Sequence, residues 1–96
     1  MTTLHLVRTS SFADDNFQNA LTAASAEDGL VLLDDGCYAL HAKELIANLV
    51  QKDLALFIVA SHLKARGIES PLAARLIAMT ELVDLTFSYQ RVITWQ

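Results

Sequence analysis

The sequence predicts an α/β domain in three layers, a mostly parallel sheet of about five strands with helices on either side. Leu30–Leu33, opened by Gly29, and Leu54–Ala60 are unbroken apolar runs of strand length. A strand apolar on both faces belongs to a sheet covered on both sides. The stretch between them carries apolar residues at helical spacing, and two buried strands joined by a helix form a parallel crossover unit. A chain of 96 residues has room for one such domain, so residues 1–96 are read as a single unit.

Taken in order, Leu4-His5-Leu6-Val7 is a short opening strand. Ser10, Ser11, Asp14, Asp15 and Asn16 then offer side chains that accept from unpaired helix N–H groups, which predicts a helix start. Phe17, Ala20, Leu21 and Ala24 form its apolar face, and Glu27-Asp28-Gly29 ends it. After the central strand, Asp34-Asp35-Gly36 reads as a turn at the strand's carboxyl end. Leu40, Leu45, Ile46, Leu49 and Val50 are again helical in spacing, with Lys43 and Glu44 outward. Ser61 is positioned to cap a helix from His62 to Arg66, and Gly67 to stop it. Leu76–Met79 reads as a short strand, although Pro71 and the neighbouring alanines also permit a helix from Leu72. Glu81–Tyr89 reads as a helix with Leu82, Leu85 and Tyr89 on one side and Thr80 at its cap. Arg91–Trp95 is the last strand. Strand and helix alternate throughout, the pattern of a layered α/β domain.

Apolar residues make up 53% of the chain and mean hydropathy is +0.34, more than a domain this small can bury alone. The excess predicts contact surfaces, filled either by other subunits or by self-association. A net charge of −4 argues against this chain as a principal nucleic-acid contact, because phosphate recognition needs a clustered positive field. One cysteine excludes an internal disulfide and fits a reducing compartment. No apolar stretch is long enough to span a membrane and no secretory leader is recognisable, so a cytoplasmic location is expected.

Cys37 occupies the place where open parallel sheets bind and react, beside a strand's carboxyl end. A thiol there can serve as nucleophile or persulfide carrier, but Asp34 and Asp35 disfavour the thiolate, and a buried cysteine is commonly an apolar filler. Filler is the reading taken. Adjacent carboxylates on a strand point to opposite faces, so Asp34 and Asp35 form no acid–base pair. His5, His41 and His62 lack ligand spacing; His5 reads as a satisfied core or interface residue, His41 and His62 as solvent-facing. Neither G-x-G-x-x-G nor G-x-x-x-x-G-K-[ST] is present. No metal, cofactor or self-sufficient enzyme site is expected. Phe12, Tyr38, Phe87, Tyr89 and Trp95 fall near element ends, which makes Phe12, Tyr38 and Trp95 candidate interface anchors. Trp95 could equally fold back over its own sheet edge.

Several blocks then carry a resemblance over nearly the whole chain. They are Leu4–Phe12, Leu32–Ala39 (LLDDGCYA), Leu63–Gly67, Val83–Thr86 and Val92–Trp95. In this order and spacing they resemble the DsrH/TusB family. The resemblance implies a small DsrE-like, flavodoxin-like α/β subunit working in the cytoplasm with related TusC/TusD-like or DsrF/DsrE-like subunits. In the TusBCD branch such complexes relay persulfide sulfur toward 2-thiouridine at the tRNA wobble position, with tRNA met only through downstream partners. In the DsrEFH branch they serve oxidation of stored sulfur. The principal sulfur-carrying cysteine belongs to the DsrE/TusD-like partner. Some DsrH members carry a cysteine in the first helix, where this chain has Ala20, and the family more often has a branched aliphatic residue at the position of Cys37. Both departures favour a non-catalytic, TusB-like role. The alternatives are a DsrEFH-like subunit, a sulfurtransferase using Cys37, or a stand-alone self-assembly.

Overall fold

Five strands run parallel in one sheet in a computed structural model that describes residues 2–70 and 74–96. They are β1 (Thr3–Val7), β2 (Gly29–Leu32), β3 (Ala55–Val59), β4 (Ala74–Ile77) and β5 (Arg91–Trp95), in the spatial order β4-β3-β2-β1-β5. The helices are α1 (Asn16–Ala23), α2 (Lys43–Gln51), α3 (Ala60–Ala65) and α4 (Met79–Ser88), and a 3-10 segment, Asp34–His41, joins β2 to α2. The alternative of a helix from Leu72 onward is overturned from Ala74, where the chain is strand β4, while residue 72 itself and the packing expected of the Leu45 and Val50 side chains lie outside the described residues.

Chain direction across the sheet decides which face each helix covers. From β1 to β4 each crossover steps the same way, and right-handed connections then place α1, α2 and α3 on one face. The step from β4 back to β5 runs the other way and carries α4 to the opposite face. The core divides accordingly. Val7, Leu30, Leu32, Leu56 and Ile58 pack with Phe17, Leu21, Leu49 and Leu63 under the first three helices. Leu4, Val31, Phe57, Val59 and Ile77 pack with Leu82 under α4. All four residues of β2 are buried, as an apolar run in the middle of a covered sheet must be.

Three element boundaries differ from expectation. α3 starts at Ala60 directly from the end of β3, so Ser61 lies inside its first turn and caps nothing. Strand and helix are joined here without loop residues, which leaves no separate cap position. β4 starts at Ala74, two residues earlier than the apolar letters indicated, because Arg75 is a strand residue at the sheet edge beside Glu81 of α4. α4 therefore begins at Met79, and the Ala78 N–H donates to Glu81 Oε1 at 3.1 Å, with Thr80 inside the helix. Gly67, at φ +63°, ends the α3 turn as expected of a residue free to adopt left-handed backbone.

Candidate functional site

Val7 and Leu32 are Cα partners on neighbouring strands, so the residues after them leave the sheet side by side at its carboxyl edge. Arg8 follows β1 and Asp34 opens the 3-10 segment. Arg8 Nε donates to Asp34 Oδ2 at 2.9 Å and Arg8 Nη1 to Gln96 Oε1 at 3.1 Å, which ties together the ends of β1, β2 and β5. Asp34 has left-handed backbone, φ 50°, a conformation that short polar side chains tolerate best after glycine. That turn aims its N–H at His62 Nδ1, 2.9 Å away on α3. Nδ1 accepts, so the network assigns the neutral ring's proton to Nε2. Asp34 Oδ1 lies 3.5 Å from the same nitrogen.

Asp35 has its own cation. Arg66 Nε and Nη2 both donate to Asp35 Oδ1, at 3.2 and 3.0 Å, while Nη1 donates to the His62 carbonyl at 3.1 Å. The guanidinium also lies over the Tyr38 ring, 6.0 Å from its centroid. The two carboxylates thus serve separate arginines and share no reacting atom. His62 corrects the expectation of a solvent-facing side chain: it is 24% exposed and turned onto the end of β2. The direct β3-to-α3 junction is the cause, since it sets His62 within the first turn beside the neighbouring strand's exit.

Cys37 is fully buried beneath this edge, its Sγ 4.0 Å from the Leu32 carbonyl. Burial pushes its pKa up; Arg66 pulls the other way, and Asp34 and Asp35 add to the rise. Such a thiol is neutral at physiological pH and out of reach of a substrate. Gly36 explains how close the 3-10 segment lies to β1, because a β-carbon there would collide with the Val7 carbonyl. Tyr38 is half-buried against the core, with His41 edge-on to it at 6.3 Å. Phe12 is 68% exposed and lines a groove of about 470 Å³ with Ser11 and residues His41–Glu44. Among the described residues no group of His, Cys, Asp or Glu is placed to hold a metal ion.

Trp95 lies on the covered face, where its indole packs on the core and stacks on His5 with centroids 6.2 Å apart. Its Nε1–H can only donate, and it donates to His5 Nδ1 at 3.1 Å. His5 Nε2–H therefore donates to Asp28 Oδ2, 3.0 Å away. Asp28 also accepts the N–H groups of Thr3 and Ser25, at 2.9 and 3.0 Å. Burial pushes the Asp28 pKa up, but the Ser25, His5 and Thr3 hydrogen bonds outweigh it and hold the carboxyl below its ordinary value. Trp95, His5 and Asp28 thus form one hydrogen-bonded chain that joins β5, β1 and the entry to β2, with His5 2% exposed and out of reach of a ligand.

Sequence reading alone did not find the Arg8–Asp34–His62 and Arg66–Asp35 pairings. The usable signal was positional: charged residues immediately following adjacent strands converge once the strand order is known.

Among known families, the model described as "DsrH like protein" matches residues 9–92. Among solved structures, the ychN protein from E. coli is similar over 98% of this chain and 99% of its own, with a TM-score of 0.77 at 16% identity. Protein Tm0979 from Thermotoga maritima, solved by NMR, is similar over 90% of this chain and 92% of its own, with a TM-score of 0.63 at 24% identity. At these identities the two structures establish the shared fold alone. No curated protein sequence matches the chain.

Proposed function

Because the chain belongs to the DsrH-like family, we propose that it is a non-catalytic subunit of a cytoplasmic sulfur-relay complex. Family and fold together support a sulfur-relay-type subunit. The finer reading is a TusBCD-like assembly with two related subunits, in support of wobble-uridine 2-thiolation of tRNA. In it this chain completes the oligomer that orients a partner's persulfide and meets tRNA only through downstream partners. The observation that carries the non-catalytic part is the burial of Cys37 at 0% exposure, with burial also raising its pKa. A persulfide carrier has to present its sulfur to donor and acceptor in turn, and a side chain sealed under the 3-10 segment presents nothing. Phe12 and Tyr38 lie at the carboxyl edge of the sheet, where a partner's reacting group would be received, and serve in this reading as contacts.

The test is reconstitution with the two related subunits and measurement of sulfur transfer from a labelled donor. Cys37→Ala is expected to assemble and to transfer at a rate within twofold of the native complex. A loss of ten-fold or more with assembly intact would overturn the reading and make Cys37 the carrier.

A further inference from the structure

We infer, resting on the sulfur-relay reading, that the Nε2–H of His62 donates a hydrogen bond to the anionic terminal sulfur of a partner's persulfide at the carboxyl edge of the sheet. His62 is then the residue of this chain that meets the reacting atom, and Asp34 is the residue that positions it.

The imidazole is committed at one nitrogen and open at the other. The Asp34 N–H donates to Nδ1 at 2.9 Å, which leaves the ring's proton on Nε2. The two nitrogens lie on opposite sides of the ring, so Nδ1 turned onto the end of β2 directs the Nε2–H away from it. No described residue accepts from Nε2, and the side chain is partly exposed. Asp34 Oδ1 lies on the Nδ1 side, 3.5 Å from that nitrogen, and does not compete for the outward proton. The main chain beneath is fixed as well. Arg66 Nη1 donates to the His62 carbonyl at 3.1 Å, and α3 starts directly from β3 with no loop to shift.

Holding the ring this way costs backbone energy. Asp34 is one of two non-glycine residues with left-handed backbone among those described, and this turn is what aims its N–H at Nδ1. Such backbone persists where neighbouring contacts over-determine it, and it concentrates at binding and reacting sites. Here Arg8 Nε fixes the Asp34 carboxylate at 2.9 Å, and the Gly36 N–H closes the turn onto the Leu33 carbonyl at 2.9 Å.

The charges around the ring select the kind of anion. Arg8 pairs with Asp34 and Arg66 with Asp35, so these four groups sum to zero. A phosphate group is strongly hydrated and needs clustered cations, which such an edge does not supply. A persulfide anion is singly charged, large and weakly hydrated, and one directed N–H donor gives it a charge-assisted hydrogen bond. The sulfur has to come from a partner, because Cys37 is sealed beneath the same edge.

Asparagine and glutamine each copy one ring nitrogen, which separates binding from bracing. An asparagine amide oxygen stands near the place of Nδ1, and a glutamine amide N–H near that of Nε2. In the complex reconstituted with the two related subunits, His62→Asn is expected to keep a near-native denaturation midpoint and intact assembly yet slow sulfur transfer about ten-fold or more. His62→Gln is expected to lower the midpoint but to transfer within about three-fold of the native rate. A histidine that only braces Asp34 gives the opposite order of rates. That order, or a native rate for His62→Asn, would overturn the role of His62 and leave the sulfur-relay reading standing, whereas a native complex that moves no sulfur would overturn both. In the chain alone, nitrogen-15 spectra of the imidazole in mildly alkaline buffer are expected to show His62 protonated at Nε2. Protonation at Nδ1 would overturn the role whatever the complex does.

Discussion

The two faces of the sheet are built from the same strands and finished to different degrees. One carries α1, α2, α3 and the 3-10 segment and buries Val7, Leu30, Leu32 and Ile58 completely. The other carries α4 alone and leaves Val83, Phe87 and Val92 in solvent. Topology causes the difference, because only the return crossover from β4 to β5 passes over the second face. The first face is therefore where this chain stabilises itself, and the second is where it has apolar surface to share.

Substitutions on each face measure how differently the two are closed. Ile58→Ala, on the finished face, removes a fully buried side chain and is expected to lower unfolding free energy by about 3 kcal/mol. Chemical denaturation measures it, and a loss near zero would mean the face is looser than its burial indicates. Asp28→Asn, on the loop that enters β2, is expected to cost about 2 kcal/mol by weakening two buried hydrogen bonds and one partly buried one. It should also change the acid limb. Asp28 holds its proton less tightly folded than at its ordinary value of 3.8, so its contribution is complete above that pH and is lost as pH falls through the lower folded value. Stability of Asp28→Asn measured from pH 5 to 2 should accordingly fall less steeply than that of the native chain. Val83→Ala, on the open face, should change the unfolding free energy of the single chain by no more than about 0.5 kcal/mol. A loss comparable to that of Ile58→Ala at low protein concentration would mean that the second face is already closed within one chain.

Much of this was legible in the sequence for a physical reason. A central parallel strand must be apolar on both faces, and Leu30–Leu33 and Leu54–Ala60 are written that way, so the layers and the parallel crossover followed. Edge elements carry less of that signature. β4 includes Arg75 because its edge position lets the guanidinium reach Glu81, and its charge shifted the expected strand by two residues. The carboxyl-edge network was illegible for another reason. Arg8 meets Gln96 and Trp95 meets His5 only because β5 returns to pair with β1, and no local pattern fixes that strand order. The buried state of Cys37 was readable from its residue type and acidic neighbours, whereas His62 required knowing that β3 runs into α3 without a loop.

On the proposed reading this chain acts by assembling and not by carrying sulfur on Cys37. The most direct measurement is native mass spectrometry of the tagged chain drawn from its own cells, followed by denaturing mass analysis of the same sample. A mixed assembly with two related small subunits and Cys37 at its unmodified mass is expected. A population in which Cys37 carries the added mass of a sulfur atom would contradict it.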